Sequence, residues 1–320
     1  MAILGFLKRG DDKHEGQPGH SMGKRLHAWW EGYDLPPAEP AAEAEGSRAT
    51  TPPPDGGVIA ATAPDPWSKS RIKVAEMIWG DGFNFPGSAD HVVELVKPFG
   101  LTKEKSLLDL GCGLGGGTRA IAKEFGTWVE GMEQSPALAR AGMEMSEKAG
   151  LGKKATVVAY DPAKVHFTPR RYEAAFARMV LWQLADKKRL LGEIDKGLKP
   201  QGQLTFIDYV IKPGAAGAAG LGAWLKAENC ANMPCELADV SKMLETLKID
   251  IRIAEDMTGE FRRLVTEGWA KAVEILGAGA SGLAPEEAQA LVREAEMWRM
   301  RINLLDGGTL QVARFFGIKR

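Results

Sequence analysis

Three cysteines in 320 residues are too few for a disulfide framework, so the simpler reading is a reduced, cytoplasmic chain. No apolar run approaches the ~20 residues needed to cross a bilayer. Neither sign of charge dominates: 41 Lys and Arg stand against 42 Asp and Glu, a net charge of −1, and such a balance makes no electrostatic case for nucleic acid. Metal ligation is poorly supplied as well. Cys230 and Cys235 in "NCANMPC" have no second pair to complete a tetrahedral site, and they read as thiols buried in a lid. The start, "MAILGFLKRG", is too short in its apolar part for a signal peptide. It reads either as a weak interfacial anchor giving peripheral membrane contact or as a frayed end. No solenoid-length repeat is present.

Proline is unevenly spent: eight of the 18 fall between residues 35 and 66, which excludes a helix or central strand there and predicts an extended linker. Residues 1–66 are therefore expected to be a disordered arm and Pro/Ala-rich linker. The paired tryptophans of "SMGKRLHAWWEGYDL" would sit on one short helix seeking a partner surface, so residues 1–34 are a candidate protein-docking arm. Residues 67–320 are expected to form one domain. Helices are predicted over "DPWSKSRIKVAEMIWG" and "SADHVVELVKPFG", the second capped by Ser88 and stopped at Pro98-Phe99-Gly100. Strands at 105–110, 127–133, 154–160, 172–178 and 202–210 then interleave with helices at 117–125, 135–149 and 186–197. That alternation predicts a doubly wound, mostly parallel α/β sheet of Rossmann-like form. Beyond it lie a helical lid at about 214–247, a further strand in "IDIRIAED", helices within 258–305, and an antiparallel final strand in "TLQVARFFGIK".

The chemistry concentrates in "LLDLGCGLGGG", Leu107 to Gly117. Gly111, Gly113 and Gly116 satisfy the G-x-G-x-x-G spacing of dinucleotide turns, and Glu133 lies near the distance of a ribose-binding acid. Glycine spacing alone leaves an NAD-dependent enzyme open. Asp109 argues the other way, because a carboxylate at the strand end would repel a pyrophosphate resting on that turn. A cationic nucleoside without phosphate reverses the sign, and S-adenosyl-L-methionine, with its sulfonium and ammonium, is such a ligand. The glycines then serve close backbone approach, and Asp109 acts near the ammonium directly or through water while orienting the loop.

These segments resemble the class I S-adenosylmethionine-dependent methyltransferases. "LLDLGCGLGGG" is similar to their first motif. "TWVEGMEQSPALARAG" is similar to the second strand and helix, with Glu133 implied to hold the ribose hydroxyls. "VVAYDPAKVHF" puts Asp161 where the family has an acid facing the adenine amino group, and "LKPQGQLTFIDYV" resembles the turn and fifth strand. The four segments occur in family order, and the resemblance runs over roughly residues 68–320. It implies Cys112, Gly113, Gly115, Gln134 and Pro162 as further cofactor neighbours. "WGDGFNFPGS" (79–88) is similar to a segment of the phosphoethanolamine methyltransferase group that folds over the cofactor; Trp79, Phe83 and Phe85 would form an apolar cover, or simply fill a core turn.

Methyl transfer from a sulfonium is an in-line displacement that needs alignment, exclusion of water and an available lone pair, with no metal or covalent nucleophile. That group uses a Tyr/His pair near the methyl, whereas this chain has Ala75 and Gln183 at the corresponding positions. Candidate catalytic residues are Gln183, which would bond a polar substrate group or cap the next helix, and Asp208 and Tyr209 at the fifth strand's end, facing the crevice. Arg178 and Met179, ending the fourth strand, would lie beside the cofactor, with Arg178 facing its carboxylate. His166 reads as a surface residue and His91 as structural. Trp224, Trp269 and Trp298 are candidate apolar walls under the lid. The function expected is methylation of a small molecule, an amine or lipid headgroup nitrogen. O- or C-methylation of a quinone- or isoprenoid-like lipid and a non-catalytic cofactor-binding scaffold are the alternatives.

Overall fold

The computed structural model describes residues 65–277 and 282–320. The expectations for the N-terminal anchor, the tryptophan-bearing helix and the linker up to residue 64 lie outside the described residues. Helices α1 (Lys69–Trp79) and α2 (Ala89–Val96) come first. Each starts on a serine cap: Ser68 Oγ accepts the Arg71 N–H and Ser88 Oγ the His91 N–H, both at 3.2 Å, satisfying donors that have no carbonyl partner in a first turn. A 3-10 turn over Lys97–Phe99 follows, and Gly100, at φ 54°, stops it.

Alternation then begins: β1 (Ser106–Leu110), α3 (Gly116–Phe125), β2 (Trp128–Glu133), α4 (Pro136–Lys148), β3 (Ala155–Ala159), β4 (Tyr172–Arg178), α5 (Lys187–Gly197) and β5 (Leu198–Ile211). Residues 214–247 are less continuously helical than expected, holding a 3-10 turn at Ala215–Gly217 and two separate helices, α6 (Leu221–Ala227) and α7 (Leu237–Thr246). Then come β6 (Ile249–Asp256), α8 (Thr258–Gly277), α9 (Pro285–Asp306) and β7 (Leu310–Lys319). Among the described residues no helix is long and apolar enough to cross a membrane.

The seven strands form one sheet in the order β3-β2-β1-β4-β5-β7-β6, parallel except for β7, which runs antiparallel to both neighbours. Alternate side chains feed cores on the two faces. Leu107 packs with Phe176, Ile207 and Val312 on one side, and Leu108 and Leu110 with Ala175, Phe206 and Ala313 on the other. Burial on both faces is why these strands read as near-continuous apolar runs. Phe206 and Phe315 face each other across the β5–β7 pair and stack at 4.6 Å. The chain winds outward from β1 to β3 and then returns to β4 on β1's other side. This places a topological switch between β1 and β4, and a crevice opens there beyond their carboxyl ends.

Candidate functional site

The turn after β1 is shaped by what its glycines must avoid. Gly111, at φ 70°, would put a Cβ 2.4 Å from the Arg178 carbonyl oxygen, and Gly113, at φ 57°, would put one 1.8 Å from Asn84 Oδ1. Both the left-handed backbone and the contact require glycine. Glu133, at the end of β2, ties the turn down by accepting the Gly113 N–H through Oε2 at 2.9 Å and the Ser135 N–H through Oε1 at 3.0 Å. The segment after α1 lies across the same turn: Asn84 Oδ1 accepts the Leu114 N–H at 3.2 Å, and the Gly82 carbonyl accepts the Gly116 N–H at 2.9 Å.

Over this turn lies a cavity of about 980 Å³, near the upper end of the ~300–1,000 Å³ usual for small-molecule sites and roomy enough for a nucleoside cofactor and a small acceptor together. Gly111, Cys112, Glu133 and Gln134 line one end, with Phe83 and Phe85 above it. Arg178, Met179, Gln183 and Tyr209 border it from the ends of β4 and β5. Ten expected site residues thus border the cavity, and the others stand elsewhere.

Asp109 is fully buried behind the turn, with Oδ2 accepting from Thr118 Oγ1 at 2.7 Å and Oδ1 without a partner. Burial raises its pKa, and the neighbouring Arg178 guanidinium works against that rise. Gly113 and Gly115 shape the turn and the start of α3 from outside the lining. Trp79 belongs to the core rather than to the cover: its ring lies 4.8 Å from Trp298 and 6.5 Å from Trp269. Trp224 is also buried, stacked at 4.9 Å on Trp182, which takes the lining position. Asp161 is exposed, ion-paired with Lys164 at 3.1 Å, and neither it nor Pro162 borders the cavity; the Pro162 carbonyl accepts from Arg189.

Asp208 differs most from expectation. Instead of facing the crevice it is 3% exposed and turned inward, where its carboxylate accepts the N–H groups of Val180, Leu181, Trp182 and Tyr209 at 2.6–3.3 Å. It fixes the segment that carries Met179 (φ 52°) and Gln183 to the cavity wall. Burial pushes its pKa up to about 7. Asp186, not Gln183, caps α5. Cys230 and Cys235 are only half-buried, and among the described residues no cluster of three or more metal-ligating side chains occurs.

Two walls were missed. Pro66, Trp67 and Arg71 border the mouth before and within α1, and Asp65 is pinned by Ser135 Oγ and the Ala137 N–H at 2.8–2.9 Å. The other wall is one face of α9, where Glu286, Ala290, Arg293, Met297 and Arg301 recur at helical spacing. The readable signal was that polar stripe, opposite the buried Leu291 and Trp298.

Residues 107–202 match the model of a methyltransferase domain. The chain is 29% identical to phosphoethanolamine N-methyltransferase 1 of Zea mays over 58% of this chain and 36% of that one. It is 29% identical to phosphoethanolamine N-methyltransferase 2 of Caenorhabditis elegans over 45% and 33%. It therefore spans about a third of the length of these relatives. A Haemonchus contortus phosphoethanolamine N-methyltransferase 2, solved with phosphomonomethylethanolamine and S-adenosylhomocysteine, superposes with a TM-score of 0.69 at 22% identity, over 79% of this chain and 58% of that one. Residues 107–202 thus form a methyltransferase domain, and the chain is similar to phosphoethanolamine N-methyltransferases, whose solved relative shares its fold.

Proposed function

We propose that the chain transfers a methyl group from S-adenosylmethionine to the nitrogen of a small amine. The observation that carries this reading is the pairing, in one cavity, of a close-approach glycine turn and its Glu133 carboxylate with a separate polar wall that can hold a second molecule. Arg119, beside the turn, is spent on the Leu114 and Gly142 carbonyls, and the buried Asp109 stands behind the turn beside Arg178.

Glu133, already oriented by two N–H groups, receives the ribose hydroxyls, and Arg178 faces the amino-acid carboxylate. Asp109 acts on the nearby ammonium through its field. Phe83 and Phe85 keep water from the reacting centre. The bound cofactor supplies an electrophilic methyl whose bond electrons return to the sulfonium sulfur. The acceptor amine gives its proton to water, and its freed lone pair forms the N–CH₃ bond. Met179 and Gln183, held by Asp208 through the intervening segment, align that nitrogen. A quinone would call for an apolar pocket, and the five glutamates and four arginines on this lining favour an amine instead.

The test is incubation with methyl-labelled S-adenosylmethionine and a cell extract, followed by mass spectrometry of the labelled product. A labelled amine supports the reading. Label remaining wholly in the cofactor, with the cofactor bound, would leave a scaffold.

A further inference from the structure

We propose that the wall built from Glu228, Arg301, Tyr209 and Trp182 selects an acceptor that is a cationic amine bearing no phosphate monoester, with Glu228 as the specificity-determining residue. The inference rests on the amine-methylating reading above and narrows its substrate.

Arg301 is the cation best placed to seize an anionic substrate group, and it is already taken. Its Nε and Nη2 both donate to Glu228 Oε1, at 2.7 and 2.6 Å, and each side chain is only 12% exposed. Trp224 Nε1 donates to the same oxygen at 2.8 Å, and the guanidinium lies 4.5 Å from the Trp298 ring centroid. The other arginines on the lining are no freer where it matters. Arg71 is held by Glu294 at 2.5 Å, Arg178 stands beside the buried Asp109, and Arg293 is exposed to water. A phosphomonoester brings close to two negative charges at neutral pH and needs uncompensated donors once desolvated. On this lining the buried cationic donor without a hydrogen-bond partner among the described residues is Arg178 Nε, which stands beside Asp109 at the glycine turn and is the group assigned to the cofactor's carboxylate, so none remains for a phosphate.

What it does offer suits a cation. Trp182 and Tyr209 present rings 6.0 Å apart at 74°, and ring faces attract an ammonium. Tyr209 borders the cavity, and its buried hydroxyl has no hydrogen-bond partner among the described residues. Burial holds it protonated, leaving lone pairs for a substrate N–H. Arg301 and Trp224 both donate to Glu228 Oε1, which leaves Oε2 as the carboxylate oxygen for the substrate ammonium. The ammonium it draws in loses a proton to water before the nitrogen attacks.

The test uses the full chain loaded with S-adenosylhomocysteine and two probes that differ only in the phosphate, N-methylethanolamine and its phosphate ester, titrated calorimetrically. The wild type is expected to bind the unphosphorylated amine at least roughly tenfold more tightly. Glu228→Gln keeps the acceptor for Trp224 but leaves Arg301 uncompensated, and it is expected to shift the ratio of the two affinities at least roughly tenfold toward the ester. Preference of the wild type for the ester, equal or absent binding of both probes, or an unchanged ratio in Glu228→Gln each overturns the proposal. If Glu228→Gln no longer binds S-adenosylhomocysteine, Arg301→Gln decides: it must bind the amine at least as tightly as the wild type, and weaker binding overturns the proposal. Failure of the wild type to bind S-adenosylhomocysteine sinks the underlying reading instead.

Discussion

Thr118 Oγ1 donates a 2.7 Å hydrogen bond to Asp109 Oδ2, tying the carboxylate at the end of β1 to the first turn of α3. The carboxylate is buried and does not border the cavity, so its influence on a ligand passes through the electric field of a low-dielectric site rather than through contact. Asp109→Asn keeps an oxygen for Thr118 and removes only the charge. S-adenosylmethionine affinity measured by calorimetry is expected to fall about tenfold, about 1.4 kcal/mol, with Tm unchanged or raised. Unaltered affinity would show that this charge does not select the ligand.

Glu133 is the carboxylate that reaches the cavity itself. Burial raises its pKa, against hydrogen bonds from Ser135 and Gly113. Glu133→Ala removes both the ligand contact and the two bonds that shape the turn, and the loss of S-adenosylmethionine affinity is expected to exceed ~1.5 kcal/mol, the lower end for one charge-assisted bond. Glu133→Gln should fall between the alanine variant and wild type. A Gln variant weaker than Ala would contradict this ordering.

Asp208 makes stability depend on pH. Its native pKa of about 7 lies above the ordinary 3.8, so the native state holds a proton that the unfolded chain has released. Its contribution is fully present below about pH 4 and is lost as pH rises to about 7, with a slope of at most ~1.4 kcal/mol per pH unit. Thermal unfolding across that window should show a flatter Tm profile for Asp208→Asn than for the parent. Parallel profiles would contradict the assignment.

Gly111→Ala would drive a methyl group into the Arg178 carbonyl and Val180 Cγ2 at 2.4 and 2.6 Å, in a backbone conformation costing ~1–3 kcal/mol for a non-glycine residue. Cofactor binding is expected to be lost and Tm lowered. Gly150→Ala, with a similar φ of 70° but open space around it, should lower Tm alone.

The sheet was legible because buried parallel strands and amphipathic helices announce themselves by period, and the glycine turn because Asp109, Gly111 and Glu133 sit at fixed offsets from strand ends. Charge and residue type say less about direction. Asp208 and Tyr209 are neighbours on β5, yet one faces the backbone of residues 180–182 and the other the cavity. Trp79 and Trp224 read as covers but fill cores, since an indole buries as readily behind a wall as on it. Glu228 and the polar stripe of α9 come together only in the folded chain, 73 residues separating Glu228 from Arg301.

The central claim is that the turn after β1 takes a cationic nucleoside in preference to a dinucleotide. Calorimetric titration of the purified chain with S-adenosylmethionine and, separately, with NAD tests it directly. The account predicts one saturable S-adenosylmethionine site, competed by S-adenosylhomocysteine and weakened in Glu133→Ala, with no heat from NAD. Saturable NAD binding without affinity for S-adenosylmethionine would contradict it.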